Sequence, residues 1–296
     1  MMFILAALLS WQSGGLSGVN VNSLAFEEGS LYAATDSGIF VRSGGSDWIA
    51  LLPGSFNVIA AKNGGLYAGG NGIFKSTDRG EHWLAIHQGL PPSIDVSCIA
   101  IDNLSNLYLG TRDYGIFKST DGGATWVEKP TGISGFVITL AIDANVVYAG
   151  TNRGVLKSVD GGNTWRQINN GITVPFSITS LVVDPPAIFA SSAFAGVFRS
   201  DDAGESWVAI SSGLTSNWVS ALALQNRTTL YAGTPEQGVF RSTDRGGSWA
   251  AFNSGLPNKF IHALQMSPGG SQLYAATAGG VFFVDFAPRS RAIRSR

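Results

Sequence analysis

Residues 95–133 read DVSCIAIDNLSNLYLGTRDYGIFKSTDGGATWVEKPTGI. The stretch opens with Val96-Ser97-Cys98-Ile99-Ala100-Ile101, a mostly apolar run that ends at the turn-forming pair Asp102-Asn103. Asn106 to Gly110 follows, then a short loop, then Gly115-Ile116-Phe117-Lys118-Ser119. Asp121-Gly122-Gly123 supplies a tight turn into Thr125-Trp126-Val127-Glu128-Lys129. Each run is about five residues long, the usual strand length, and helical periodicity is absent. The stretch therefore reads as four short strands in one antiparallel sheet.

The same phrase recurs along the chain. Its aromatic position is Tyr32, Tyr67, Tyr108, Tyr148, Phe189, Tyr231 and Tyr274, spaced 35, 41, 40, 41, 42 and 43 residues apart. A period near 40 built of short strands and Gly-rich turns is the pattern of propeller blades. The expected fold is all-β, a single seven-bladed β-propeller of four-stranded antiparallel blades over residues 1–288. Aligned on the first strand, the blades start near Asn22, Phe56, Val96, Val137, Ile178, Val219 and Ile261.

Composition narrows the rest. Of 296 residues, 45% are hydrophobic and 13% charged, and the formal net charge is −1. No overall field draws nucleic acid or an anionic membrane. No apolar run approaches the ~20 residues of a bilayer-spanning helix. Cys98 is the single cysteine, which excludes an intramolecular disulfide and a multi-cysteine metal site. It sits in a series of small residues at alternate positions of the first strands (Ser23 and Ala25, Val58 and Ala60, Cys98 and Ala100, Thr139 and Ala141, Ala221 and Ala223). Inner strands converge on the axis, so small side chains belong there and Cys98 reads as a small buried hydrophobe. His82, His87 and His262 form no recognisable Cys-His arrangement. The arginine-rich end, residues 289–296, reads as a disordered basic tail.

Between third and fourth strands the chain repeats Ser-x-Asp-x-Gly-x-(Thr/Ser)-Trp. The aspartate and tryptophan of each are Asp121 and Trp126, Asp160 and Trp165, Asp202 and Trp207, and Asp244 and Trp249; Asp78 and Trp83 fit with His82 in the hydroxyl position. A short carboxylate accepts from turn N–H groups, glycine supplies positive φ, and the hydroxyls tie the hairpin ends. The tryptophan is expected to return into the gap between blades. One carboxylate per turn is too few for the six to eight oxygens of a calcium site. On these motifs the chain resembles the Asp-box (BNR-repeat) propellers, a superfamily that includes sialidases, xyloglucan-hydrolysing enzymes, the sortilin ectodomain and the photosystem II stability/assembly factor. The resemblance implies that the boxes are structural and lie on the face away from the ligand site.

Two blades depart. In the first, Ser43 to Trp48 keeps the tryptophan but lacks the aspartate in register; in the seventh, Gly280-Val281-Phe282 runs to Ala287-Pro288 with no box and no fourth strand. That omission would leave an exposed sheet edge. The N-terminal segment can supply the strand, with residues 5–13 as the outer strand of blade seven. Counting back from Gly15-Leu16 puts Leu9 at the tryptophan position. The competing reading of Phe3 to Leu9 is the centre of a secretory signal, though a basic start and a small-x-small cleavage site are missing. Propellers of this kind are often exported, and one cysteine fits either compartment, so location stays open between export and cytoplasm.

The face opposite the boxes is built by the loops entering the first strands and those joining second to third strands. Phe136, Trp218 and Phe260 stand four residues before the aligned first-strand Leu, with Asp95 in the same register and Phe56 and Phe176 offset by one. With Arg112, Asp113, Tyr114, Arg153, Phe194, Glu236 and Lys259 they form the candidate ligand-binding set, able to stack on and ion-pair with a glycan or peptide. No catalytic residue, metal or cofactor is assigned. Sialidase-like chemistry needs three arginines and a Tyr-Glu pair, and only Arg112 and Arg153 are placed for it. The expected function is a non-catalytic, monomeric binding or assembly scaffold for a protein or glycan. The alternative is a glycoside hydrolase using Asp36, Asp95, Asp113 or Glu236.

Overall fold

The four runs of residues 95–133 form the strands Val96–Ile101, Leu107–Thr111, Ile116–Ser119 and Val127–Lys129, hydrogen-bonded in that order into one antiparallel sheet. The computed structural model describes residues 9–132, 135–173 and 177–286, and within them the arrangement recurs in seven four-stranded sheets. Their innermost strands are Val21–Glu27, Phe56–Lys62, Val96–Ile101, Val137–Asp143, Ile178–Asp184, Ala221–Gln225 and Ile261–Met266. Each packs against the innermost strands of its two neighbours, and Val21–Glu27 meets Ile261–Met266 to complete the circle. The protein is a seven-bladed β-propeller.

Core packing explains the repeated phrase. Its tyrosine is buried in blade after blade, as at Tyr32, Tyr108 and Tyr231. Gly110 follows because an added Cβ would lie 2.6 Å from Val137 Cγ1 of the next blade and 2.4 Å from Cys98 Sγ. Gly69, Gly150 and Gly233 face Val96, Ile178 and Ile261 in the same way. Burial pushes the Cys98 thiol up to about 12, so it is a packed, inert group as the sequence suggests.

The seventh sheet runs Gln12–Gly15, Gly280–Asp285, Gln272–Thr277, Ile261–Met266, so an N-terminal strand closes the ring. It pairs Gln12 with Phe283, Ser13 with Phe282 and Gly15 with Val281, with a bulge between Ser13 and Gly15. Two expectations are corrected. The strand is Gln12–Gly15 rather than residues 5–13, of which residues 5–8 lie outside the described residues. Trp11, not Leu9, holds the tryptophan position: its N–H bonds Ser254 O at 2.8 Å and its Nε1 bonds Phe252 O at 2.7 Å. Trp249 makes the matching bonds to Ser212 O (2.9 Å) and Ile210 O (2.6 Å). Counting back from Gly15 misses this because the segment from Trp11 to the glycine is two residues shorter than in blade six. The basic tail 289–296 and Phe176 also lie outside the described residues.

Candidate functional site

The antiparallel order of each blade puts the acidic turns at one end of the ring and the entry and second-to-third-strand loops at the other. The acidic turns share one geometry. In blade three, Ser119 Oγ donates to Asp121 Oδ1 (2.7 Å) and accepts from Gly123 N (2.8 Å), while Thr125 donates to both aspartate oxygens through N (2.9 Å) and Oγ1 (2.5 Å). Asp160, Asp202 and Asp244 repeat it, and at Asp78 the His82 N–H and ring replace the hydroxyl residue. These hydrogen bonds favour the charged carboxylate and hold Asp121, Asp202 and Asp244 at about 2, with Asp78 and Asp160 also lowered.

The turns also lock blade to blade through cations that the motif alone does not flag. Lys75 Nζ donates to Gly122 O (2.8 Å), Lys118 to Gly161 O (2.9 Å) and Lys157 to Ala203 O (2.8 Å), each reaching from a third strand into the next blade's turn. The tryptophans divide. Trp126, Trp207 and Trp249 are buried and bond carbonyls of the preceding blade (Ile86, Ile168, Ile210), as expected. Trp83 and Trp165 instead bond the carbonyls of Gly80 and Gly162 in their own turns, because their indoles fold back over the turn. Asp78, Glu81 and His82 place three possible metal-ligand atoms within 4.8 Å of one another. Both Asp78 oxygens are already engaged by Ser76 and His82, which leaves Glu81 alone to recruit an ion.

The opposite face differs in kind. Tyr114 (43% exposed), Phe136 (49%), Phe194 (57%), Trp218 (48%) and Phe260 (43%) all stand there, and among the described residues no other aromatic is exposed to this degree. They occur one per blade on five consecutive blades, three to seven. Each has its backbone N–H fixed by a neighbouring side-chain oxygen: Tyr114 by Thr111 (3.0 Å), Phe136 by Asn152 (3.0 Å), Phe194 by Ser192 (3.1 Å), Trp218 by Ser216 (3.1 Å) and Phe260 by Asn258 (2.9 Å). Phe56, offset by one in the sequence, is 4% exposed and seals the core instead.

At the axis lies a mouth of about 620 Å³. Of the candidate residues it gathers only Arg112 and Trp218. Asp113 and Tyr114 line a separate cleft beside Leu90, Pro91 and the blade-three-to-four connection. Arg153, Glu236 and Lys259 are exposed on the loops of blades four, six and seven. Arg112 Nε meets Asp95 Oδ2 at 2.9 Å, and Asn57 Nδ2 holds the other Asp95 oxygen at 2.7 Å. Asp36 accepts from Asn20 (2.7 Å) and Asn22 (2.8 Å). The carboxylates nearest the mouth are thus engaged as hydrogen-bond acceptors, and Asp113 and Glu236 are separated by three blades.

Sequence reasoning missed the mouth's own wall. Six of the first strands line it with their second residue, Asn22, Asn57, Ser97, Ile138, Thr179 and His262, and blade six does so with Ser220, just before its strand. In six of the seven blades the strand register slips at this residue, which frees its side chain from the ladder and turns it toward the next blade. Five of the seven donate to the carbonyl of the next blade's first residue: Asn22 to Phe56, Asn57 to Val96, Ser97 to Val137, Thr179 to Val219 and Ser220 to Ile261, at 2.5–3.0 Å. Ile138 and His262 break this belt. His262 Nε2 is buried without a hydrogen-bond partner, and burial holds the imidazole below its ordinary range against the pull of Asp36. The signal in the sequence was a polar residue lodged second in the apolar run of every blade but the fourth, where Ile138 stands.

Comparison with protein-family models and with curated proteins finds no match. Solved structures agree on the fold. The chain is similar to the GH74 enzyme of Niastella koreensis, at 20% identity and a TM-score of 0.78, covering 96% of this chain and 55% of that one. It is similar to the WD40 propeller domain of Doa1 (13%, TM-score 0.78, 96% and 98% covered) and to YCF48 bound to D1 peptide (15%, TM-score 0.73, 95% and 98%). The chain spans about half the length of the GH74 enzyme. At these identities the likeness is one of fold, shared by a glycoside hydrolase and by propellers that are not described as enzymes.

Proposed function

We propose that this protein is a non-catalytic Asp-box propeller that holds a protein partner, through an extended peptide segment, on its loop face. The observation that carries the reading is the arc of five exposed aromatics whose backbones are fixed by side-chain caps. Preformed aromatic area lowers the ordering cost of binding. The single repeat-sized loops leave the face shallow, which suits a peptide better than an enclosed substrate. Arg112, Asp113, Arg153, Glu236 and Lys259 then supply polar contacts around the arc. The peptide-bound propeller YCF48, a match over almost its full length, supports the choice.

The hydrolase reading needs an acid and a base within ~10 Å across a cleft. Asp36 and Asp95 are occupied by amides and a guanidinium, and Asp113 and Glu236 stand three blades apart, so the geometry favours binding. The test is a random-peptide display library panned beside a glycan array, with aryl-glycoside turnover measured on the same samples. Enrichment of peptides that is lost in Trp218→Ala/Phe260→Ala supports the reading. Turnover that disappears in Asp113→Asn or Glu236→Gln would replace it with the hydrolase.

A further inference from the structure

The belt at the axial mouth commits its own protons and leaves oxygen lone pairs over at Asn57, Ser97 and Ser220. A serine or threonine hydroxyl has one proton and two lone pairs, and an asparagine amide has two protons beside its carbonyl oxygen. Ser97 Oγ lies between Gly110 O (3.0 Å) and Val137 O (2.5 Å), and Ser220 Oγ between Gly233 O (3.0 Å) and Ile261 O (2.5 Å), so each proton is committed to a backbone carbonyl. Thr179 Oγ1 donates to Val219 O and, with its one proton so committed, accepts from Ser191 Oγ at 2.8 Å. Asn22 gives its amide protons to Asp36 and Phe56 O while its Oδ1 accepts from Asn20 (3.2 Å), and Asn57 gives its own protons to Asp95 and Val96 O. What the belt leaves a guest at Asn57, Ser97 and Ser220 is oxygen.

Charge points the same way. Arg112 is the one formally charged residue of the lining, and Asp95 matches it at 2.9 Å. Among the described residues Asp36 is held only by the neutral amides of Asn20 and Asn22, and no cation of these residues pairs with its negative charge at the rim. Trp218 adds an indole half exposed at the same mouth, a surface on which a cation gains by stacking.

We infer that the axial mouth is a subsite for a cationic side chain, the guanidinium or ammonium of an arginine or lysine, presented by the peptide segment docked on the aromatic arc. A guanidinium brings five N–H donors and an ammonium three, with no acceptor, which complements the oxygens of Asn57, Ser97 and Ser220. The inference rests on the docking reading and names what the docked segment carries.

Ile138 gives a clean test, because it lines the mouth and has no belt bond to lose. The probe is N-acetyl-arginine methylamide titrated into the full chain, read by the imidazole resonances of His262 and by calorimetry. Controls are the neutral isostere N-acetyl-citrulline methylamide, N-acetyl-aspartate methylamide and spermidine. Binding of the arginine probe with a Kd on the order of millimolar is expected, at least about tenfold tighter than citrulline or aspartate. Ile138→Glu should tighten it about tenfold and Ile138→Lys should abolish it, with unchanged denaturation midpoints in both variants. Equal binding of citrulline, preference for aspartate, or binding of spermidine without the arginine probe overturns the subsite. Peptides that dock on the aromatic arc with no enrichment in arginine or lysine also overturn it while leaving the docking reading intact. An arginine probe that binds at the mouth while Trp218→Ala/Phe260→Ala leaves peptide capture unchanged overturns the docking reading instead.

Discussion

The two ends of the propeller are built from the same repeat and differ in how far their polar groups are satisfied by the protein itself. At the acidic-turn end every carboxylate of the motif is met by hydroxyls and backbone N–H groups, and third-strand lysines cap the turn carbonyls of the neighbouring blade. At the loop end, five aromatics are left half in water with their backbones fixed, and Asn57, Ser97 and Ser220 keep oxygen lone pairs over at the axial mouth. An end that satisfies itself is a structural device. We propose that an end that fixes its backbone and leaves its side chains open is prepared for a partner.

The contrast breaks most visibly between buried and exposed tryptophans. Trp11→Ala removes the indole that ties the N-terminal strand to blade six and should cost about 3–5 kcal/mol in denaturant titrations. Trp218→Ala, by contrast, should stay within about 0.5 kcal/mol of wild type. Equal costs would erase the distinction between closure and display.

Acid should unfold the ring through its turns. Asp121, Asp202 and Asp244 are held at about 2, below the unfolded value near 4. A depressed folded pKa stabilises fully above the unfolded value, and the contribution is lost as pH falls toward the folded one. Thermal midpoints should therefore drop between about pH 4 and pH 2, and the triple Asp→Asn variant at these positions should start lower and show a flatter slope over that window. An unchanged slope would mean that the turns contribute nothing through charge.

Smaller effects sharpen the picture. Lys118→Met should cost about 1 kcal/mol by uncapping Gly161 O, and Ser220→Ala a similar amount by opening the belt at Ile261 O. Loss of either at no cost in a denaturant titration would show that the blades hold together by apolar packing alone.

The fold was legible because a blade must repeat its packing: tyrosines, glycines opposite the next blade's Val or Ile, and the turn aspartates all recur with the period. The closing strand was legible as a missing edge, yet counting back from Gly15 lands on Leu9, because the segment from Trp11 to that glycine is two residues shorter than in blade six. The aromatic arc could be nominated from register. The belt could not, since Asn22, Asn57, Ser97, Thr179 and Ser220 differ in type and become equivalent only through the carbonyl of the next blade that each one bonds.

The most direct test of the division between the two ends is the affinity of one library-selected peptide for wild type, for Trp218→Ala/Phe260→Ala and for Asp121→Asn, measured by calorimetry at a temperature where all three are folded. The account predicts that Asp121→Asn binds like wild type while the aromatic double variant loses about tenfold or more. Full affinity in the double variant, or its loss in Asp121→Asn, would contradict it.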